Sequence, residues 1–325
     1  MNHMPYKNFL LFFLVLILIL LFPTGISTKS RKENPRYQYT FICPLMWEGA
    51  ALGIMEADQK NNVCTKLVGS PALNPDKMAD AFQEAIYSDV DGIITAGMQN
   101  SDRLSGLIDQ AARKNIPVVL IDSDLPESAR ITYIGHDNYG EGKRAARELQ
   151  EATGGNAKIG IITASLDIAN QKQRIDGFLE EIGKYPDMEV LEIAEAYSER
   201  LLIMEQLNLL LTKWPDLNAL YLTEGYASEI VGSLLSENDQ RKLSIVSIDG
   251  ISGPILQYLE NNSYICNLRG NIFQMAALAV DALTDYLEGN APKDTINVAA
   301  ICYTPKNADR ISEIPVTEDF TWHLY

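Results

Sequence analysis

Two aspartates close two runs of apolar sequence. Ile116-Pro117-Val118-Val119-Leu120-Ile121 ends in Asp122-Ser123-Asp124, and Leu243-Ser244-Ile245-Val246-Ser247-Ile248 ends in Asp249-Gly250. Runs of strand length that are this apolar read as strands buried on both faces, as in a parallel sheet. Strands of such sheets deliver their C-terminal residues to a crevice where ligands bind. Asp122, Asp124 and Asp249 would therefore stand at the lip of a cleft as hydrogen-bond acceptors. Two acid-tipped strands so far apart in sequence predict two similar lobes facing one ligand. The same positions also suit ordinary turn residues, and Asp124 in particular reads as a turn or rim residue.

The elements around these strands repeat. Residues 37–44, 63–68 and 90–95 read as strands, separated by helices at 47–61 and from Asp76, which would cap its helix. A further helix reaches about 114 before the first acid-tipped strand. The pattern then restarts, with strands at 131–134, 157–163, 190–194, 219–223, 243–248, 264–268 and 296–303. Helices include 140–153, 170–182 and 272–287. This alternation predicts an α/β protein with doubly wound parallel sheets. A length of 325 residues suits two domains, and 46% hydrophobic content suffices for ordinary cores. The formal net charge of -16 argues against nucleic acid as a partner.

Residues 1–36 differ from the rest. An uninterrupted apolar run at 9–22, about 14 residues, suits a secretory leader and is short for a full membrane span. Gly25 and Ser27 offer a small-residue cleavage site. The segment is either a cleaved signal or an uncleaved N-terminal membrane anchor followed by a tether. In both cases the remainder is expected outside the cytoplasm, anchored on the outer face or free if the leader is cleaved.

Several local patterns occur together in one order. Trp47 precedes Gly53 at the first helix. Val90-Asp91-Gly92-Ile93-Ile94, Ile116-Pro117-Val118-Val119 with Asp122, Tyr133-Ile134-Gly135-His136-Asp137-Asn138 with Gly142, Arg174-Ile175-Asp176-Gly177-Phe178 and Ile245-Val246-Ser247-Ile248-Asp249-Gly250 follow. In this combination the chain resembles the sugar-binding periplasmic-binding-protein family, the ribose- and galactose-type group that shares its fold with the ligand domains of lac-type repressors. The resemblance runs from about Tyr37 to the C-terminus. It implies two doubly wound lobes joined by a three-crossing hinge, with lobe one at 37–136 and 271–298 and lobe two at 137–270 and 299–325. It also implies a sugar or sugar-like ligand held between the lobes.

The resemblance further implies site roles. Asp122 and Asp249 are acceptors from opposite lobes, Arg174 a guanidinium fork, Trp47 a stacking wall and Tyr197 an aromatic from lobe two. Ser123 stands where ribose-type members carry Arg. Glu224 replaces an amide-bearing position, and Arg269 would answer Glu224 or an anionic ligand. The loop Pro44-Leu45-Met46 is shorter than in many relatives. These departures put ribose itself in doubt and leave room for a polyol or a charged small molecule. The implied partner is a membrane permease of an ABC-type importer or, alternatively, a sensor histidine kinase.

Catalysis is not expected. The histidines are His3, His136 and His323, and no HExxH, GxSxG or Walker loop occurs. No Gly-rich dinucleotide fingerprint follows the first strand, so no cofactor is expected. Cys43, Cys64, Cys266 and Cys302 are widely spaced without a CxxC pair, which argues against a metal or redox motif. Cys43, Cys64 and Cys266 fall in predicted buried strands and read as small apolar residues, with a disulfide left open.

Overall fold

Each central strand divides its side chains between two layers. In β4 (Val118–Ile121), Val118 and Leu120 enter one apolar cluster while Val119 and Ile121 enter another. Alternate side chains point to opposite faces. Because helices cover both faces, the run carries no polar alternation. The computed structural model describes residues 34–44, 47–70, 74–97, 101–238, 242–250, 252–311 and 322–324. The run 9–22, the proposed cleavage residues and Leu45-Met46 lie outside these. No helix among the described residues is long and apolar enough to cross a membrane.

The first sheet contains β1 (Gln38–Pro44), β2 (Cys64–Ser70), β3 (Gly92–Thr95), β4, β5 (Thr132–Gly135), β11 (Thr295–Asn297) and β13 (Trp322–Leu324). Its order is β11-β5-β4-β3-β1-β2-β13, and all neighbours are parallel. The second contains β6 (Ala157–Thr163), β7 (Met188–Glu195), β8 (Ala219–Leu222), β9 (Ser244–Ile248), β10 (Cys266–Arg269) and β12 (Ile301–Tyr303). Its order is β12-β10-β9-β8-β6-β7, parallel except for β12 against β10. In both sheets the first strand in sequence lies between the second and third. The order reverses there, and the crevice beyond that switch point is where a doubly wound sheet offers a site. The two-lobed α/β architecture is the one the resemblance implies.

Helices α1 (Glu48–Asn61), α2 (Pro75–Ile86), α3 (Ser101–Arg113) and α9 (Ile272–Leu287) accompany the first sheet. Helices α4 (Asn138–Thr153), α5 (Ala169–Ile182), α6 (Arg200–Lys213), α7 (Gly225–Asn238) and α8 (Ser252–Glu260) accompany the second. The chain crosses between sheets four times: after β5, after β10, between β11 and β12, and between β12 and β13, which returns to the first sheet.

Four details differ from the sequence reading. The expected strand at 296–303 is two strands, because the third crossing separates β11 from β12. Against the expectation that 299–325 belongs wholly to the second lobe, Trp322–Leu324 pairs with Leu67, Val68 and Gly69 in the first sheet. It covers the outer edge of β2, whose peptide groups would otherwise lack partners. Asn74, not Asp76, caps α2, its side chain accepting from the Lys77 amide at 3.0 Å. Cys64 is exposed, as the first residue of β2.

Glycines let helices meet at backbone distance. A Cβ on Gly142 of α4 would sit 1.9 Å from the Arg174 carbonyl oxygen, and one on Gly177 of α5 would sit 2.1 Å from that of Tyr139. In the first lobe, Gly53 of α1 meets Phe273 of α9 in the same way, at 2.1 Å. The α4–α5 contact fixes the helix that carries Arg174. Gly142→Ala therefore lowers the unfolding free energy by about 1–3 kcal/mol, the usual cost of overpacking. Gly106→Ala, at a helical position with nothing within 4 Å, raises it by about 0.4–1 kcal/mol. Chemical denaturation of the two variants reads the opposite signs.

Candidate functional site

The two acid-tipped strands end in the same backbone device. Asp122 follows β4 with φ +64°, and Asp249 follows β9 with φ +51°. Left-handed backbone is uncommon outside glycine, and aspartate is among the residues that tolerate it. Each kink is pinned to the next strand. The Asp122 amide donates to the Ile134 carbonyl at 3.0 Å, and the Asp249 amide to that of Leu268 at 2.9 Å. Side chains secure the carbonyls: Tyr133 Oη donates to the Asp122 oxygen and Asn267 Nδ2 to the Asp249 oxygen, both at 2.8 Å. The kinks turn both carboxylates out of their sheets at equivalent places in the two lobes.

Arg174 lies between them. It is 2% exposed. Its Nη1 donates to the Thr223 carbonyl at 3.1 Å and its Nε to Glu141 Oε2 at 3.4 Å, while Nη2 is 4.0 Å from Asp249 Oδ2. Burial works against its charge, but Glu141, Asp249 and Asp122 outweigh it and hold its pKa above the usual value. Asp122 keeps some contact with solvent, yet loss of water around its carboxyl on burial pushes it up to about 6. Arg174 opposes this rise and Asp249 adds to it. Burial likewise lifts Glu141 to about 7 against the pull of Arg174. Asn170 Nδ2, from the second lobe, donates to Asp122 Oδ2 of the first at 2.9 Å. Asp249 Oδ1 accepts from the Gly270 amide at 2.8 Å.

The hinge adjoins this group. His136 follows β5 at the first crossing, and its Nδ1 lies 3.0 Å from the carbonyl oxygen of Val298 at the third. A carbonyl only accepts, so Nδ1 carries the hydrogen. A Cβ on Gly270, at the second crossing, would meet His136 Nε2 at 2.2 Å. One buried ring thus abuts the first three crossings. Glu141 links it to the site, with Oε1 3.7 Å from His136 Nδ1 and Oε2 toward Arg174.

The remaining predicted residues take varied positions. Ser123 is buried, and its Oγ has no hydrogen-bond partner among the described residues. Asp124 is held by Arg130, through Nε at 2.5 Å and Nη2 at 2.8 Å, and Arg130 continues to Asp294. Both Asp124 oxygens are therefore engaged in bracing the loop. Trp47 caps α1 and packs half-buried against the clusters on both faces of the first sheet. Tyr197 is exposed, with φ +50° followed by Ser198 at +53°. Glu224 accepts from the Tyr226 and Ala227 amides at 3.0 and 2.9 Å, so it caps α7. Arg269 ends β10, half-buried beside Gly270.

Sequence reading missed Asn170, Glu141, His136 and Tyr133 as members of this group. Asn170 left one usable signal: it lies four residues before Arg174, on the same helix face.

Burial raises the Glu224 carboxyl from its ordinary 4.5 to about 7, while its amide donors and Ser198 resist. A carboxyl raised on folding holds its proton more tightly in the folded state, so its contribution makes stability fall as pH rises from 4.5 to about 7. Glu224→Gln flattens that part of a Tm-against-pH profile. A profile parallel to that of the parent chain contradicts the assignment.

Comparison with known proteins places this geometry. The profile of the family described as periplasmic binding protein domain matches residues 44–291. Among solved structures the chain is similar to GanP, a glucose-galactose binding protein from Geobacillus stearothermophilus. Identity is 28% and TM-score 0.78, over 83% of this chain and 98% of that one. It is similar to an ABC transporter solute-binding protein from Burkholderia graminis in complex with D-arabinose, at 22% identity and TM-score 0.80, over 86% and 99% of the chains. It is also similar in fold to XylFII in the XylFII–LytSN complex, at 21% identity and TM-score 0.75, over 84% and 99%. No curated protein matches at the level of sequence. The matched segment takes in β2 to β10 with Asp122, Arg174 and Asp249, and the chain belongs to the periplasmic binding protein domain family.

Proposed function

We propose that this chain is an extracytoplasmic solute-binding protein that holds a sugar or sugar-like molecule between its lobes for an ABC-type importer. The observation that carries the reading is the convergence of Asp122 and Asp249 on Arg174, with Asn170 bridging the lobes. Adjacent sugar hydroxyls each donate and accept. Fixed carboxylates receive the donated hydrogens, and a guanidinium fork and amide supply hydrogens in return. Trp47 would offer an apolar face to the ring, as aromatics do in such sites. Solved relatives carry D-arabinose or bear a glucose-galactose binding name, which supports the sugar class.

Tyr197, Glu224 and Arg269 are proposed as rim residues that tune which sugar fits, and Ser123 as a buried hydroxyl beside Asp122 that does the same from within. Asp124, taken up by Arg130, is assigned to the frame of the cleft. Lobes of residues 37–136 with 271–298, and 137–270 with most of the rest, would close on the ligand about the first three crossings. A second reading is an anchored sensor that presents its bound state to a membrane histidine kinase. The XylFII–LytSN complex favours it, since there a protein of this fold is bound to a second protein.

The test is a thermal-shift and calorimetric screen of the full-length chain against pentoses, hexoses, polyols and amino acids. One sugar raises Tm, and Asp122→Asn and Asp249→Asn each weaken its binding by about 10–100-fold, the loss expected for a hydrogen bond to a charge. Unchanged affinity in both variants removes these residues from the site. A hit confined to amino acids removes the sugar reading. Co-purification from membranes with a permease or with a kinase separates importer from sensor.

A further inference from the structure

Cys266 opens β10, and Cys302 is the middle residue of the antiparallel β12. The register sets Cys302 directly opposite Leu268. Cys266 and Leu268 share a face of the sheet, so the two cysteines are diagonal neighbours on that face. They are 0% and 6% exposed, and both are free thiols. Glu148 of α4 reaches the same point. Cys302 Sγ is 3.7 Å from Glu148 Oε1, and one carboxylate oxygen and the two sulfurs all lie within 4.8 Å of one another. The Glu148 side chain remains partly open to solvent, where Arg144 Nε stands 3.5 Å away.

We propose that Cys266, Cys302 and Glu148 form a binding site for a thiophilic divalent cation of the zinc class. Bonds of about 2.3 Å to sulfur and 2.0–2.2 Å to oxygen set tetrahedral ligand atoms about 3.5–4 Å apart; the Cys302–Glu148 distance of 3.7 Å falls in that range, and the 4.8 Å within which all three atoms lie is closed by a small side-chain movement. Water entering past the Glu148 rim takes the fourth position, and the exposed Arg144 yields its place beside the carboxylate. Binding one ion releases both thiol protons to solvent and leaves two thiolates and a carboxylate on the metal. The alternative fate of two adjacent thiols is a disulfide. Diagonal neighbours have Cα atoms about 7–8 Å apart, outside the roughly 4.4–6.8 Å that a disulfide spans without backbone movement. The bound ion would tie α4 to the two strands that flank the second and third crossings.

The full-length chain, reduced and freed of metal with a chelator, is titrated with Zn²⁺ against a chromogenic chelator. One ion binds per chain and Tm rises. Co²⁺ in its place gives a thiolate-to-metal charge-transfer band. Cys266→Ser and Cys302→Ser abolish binding, Glu148→Gln weakens it by about tenfold or more, and Cys64→Ser leaves it unchanged. Because serine at a buried position can unfold the lobe, the unmutated chain supplies an independent reading: the Co²⁺ charge-transfer band and one-to-one Zn²⁺ binding persist after the exposed Cys64 is alkylated. Absence of bound Zn²⁺, binding that survives both serine substitutions, or a Cys266–Cys302 disulfide in protein purified without reductant overturns the proposal.

Discussion

A guanidinium buried as deeply as that of Arg174 loses most of its hydration, and the loss is tolerable only if acceptors and negative charge replace water. Three separate elements provide them. Helix α4 contributes Glu141, the end of β9 contributes Asp249, and the segment after β8 contributes the Thr223 carbonyl. Asp122 adds its field from the other lobe. Much of the second lobe can be read as a frame for this charge. Gly142 and Gly177 allow α4 and α5 to touch at backbone distance, which sets Glu141 against Arg174 without slack. The carboxylates are in turn held near a cation they could not do without. Removing Arg174 would leave Glu141 and Asp122 buried among acids, with their pKa values pushed further up.

The lobes supply this arrangement by repeating one solution. Asp122 and Asp249 both leave a central strand through left-handed backbone, and both donate an amide to the following strand. A strained residue persists where surrounding hydrogen bonds over-determine it. Here Tyr133 and Asn267 perform that service from β5 and β10. The repeat explains why two carboxylates far apart in sequence face a common cation. It also leaves room for divergence, because one aspartate is held by the Asn170 amide and the other by the Gly270 main chain.

The sheets and the acid-tipped strands were legible in the sequence because their signals are local. A strand covered on both faces has to be apolar along its length, and the residue ending it stands out. Arg174 is different: a lone Arg on a helix has no local mark of burial, and only the resemblance brought it forward. Asn170, Glu141 and His136 depend on neighbours contributed by other elements, so their own segments hold little trace of their roles. Asp124 reads as a turn or rim residue and Glu224 as a ligand position answered by Arg269, since neither the capping amides of α7 nor the reach of Arg130 can be read from adjacent residues. The cysteines follow the same logic. No short spacing relates Cys266 to Cys302, and it is the β10–β12 register that joins them. Trp322–Leu324 is a three-residue strand, too short for any periodic pattern.

The ring of His136 has a mechanical consequence. Three linkers that shared no contact could each bend by its own amount, and the lobes could twist as well as close. Here Val298 and Gly270 both abut one imidazole rooted in the remaining linker. In the lobe closure proposed above, rotation would run through that ring, and travel in one of these linkers would be passed to the other two it touches. Glu141, touching both the ring and Arg174, stands at the short arm of that lever, where a small displacement in the cleft becomes a large excursion at the far ends of the lobes.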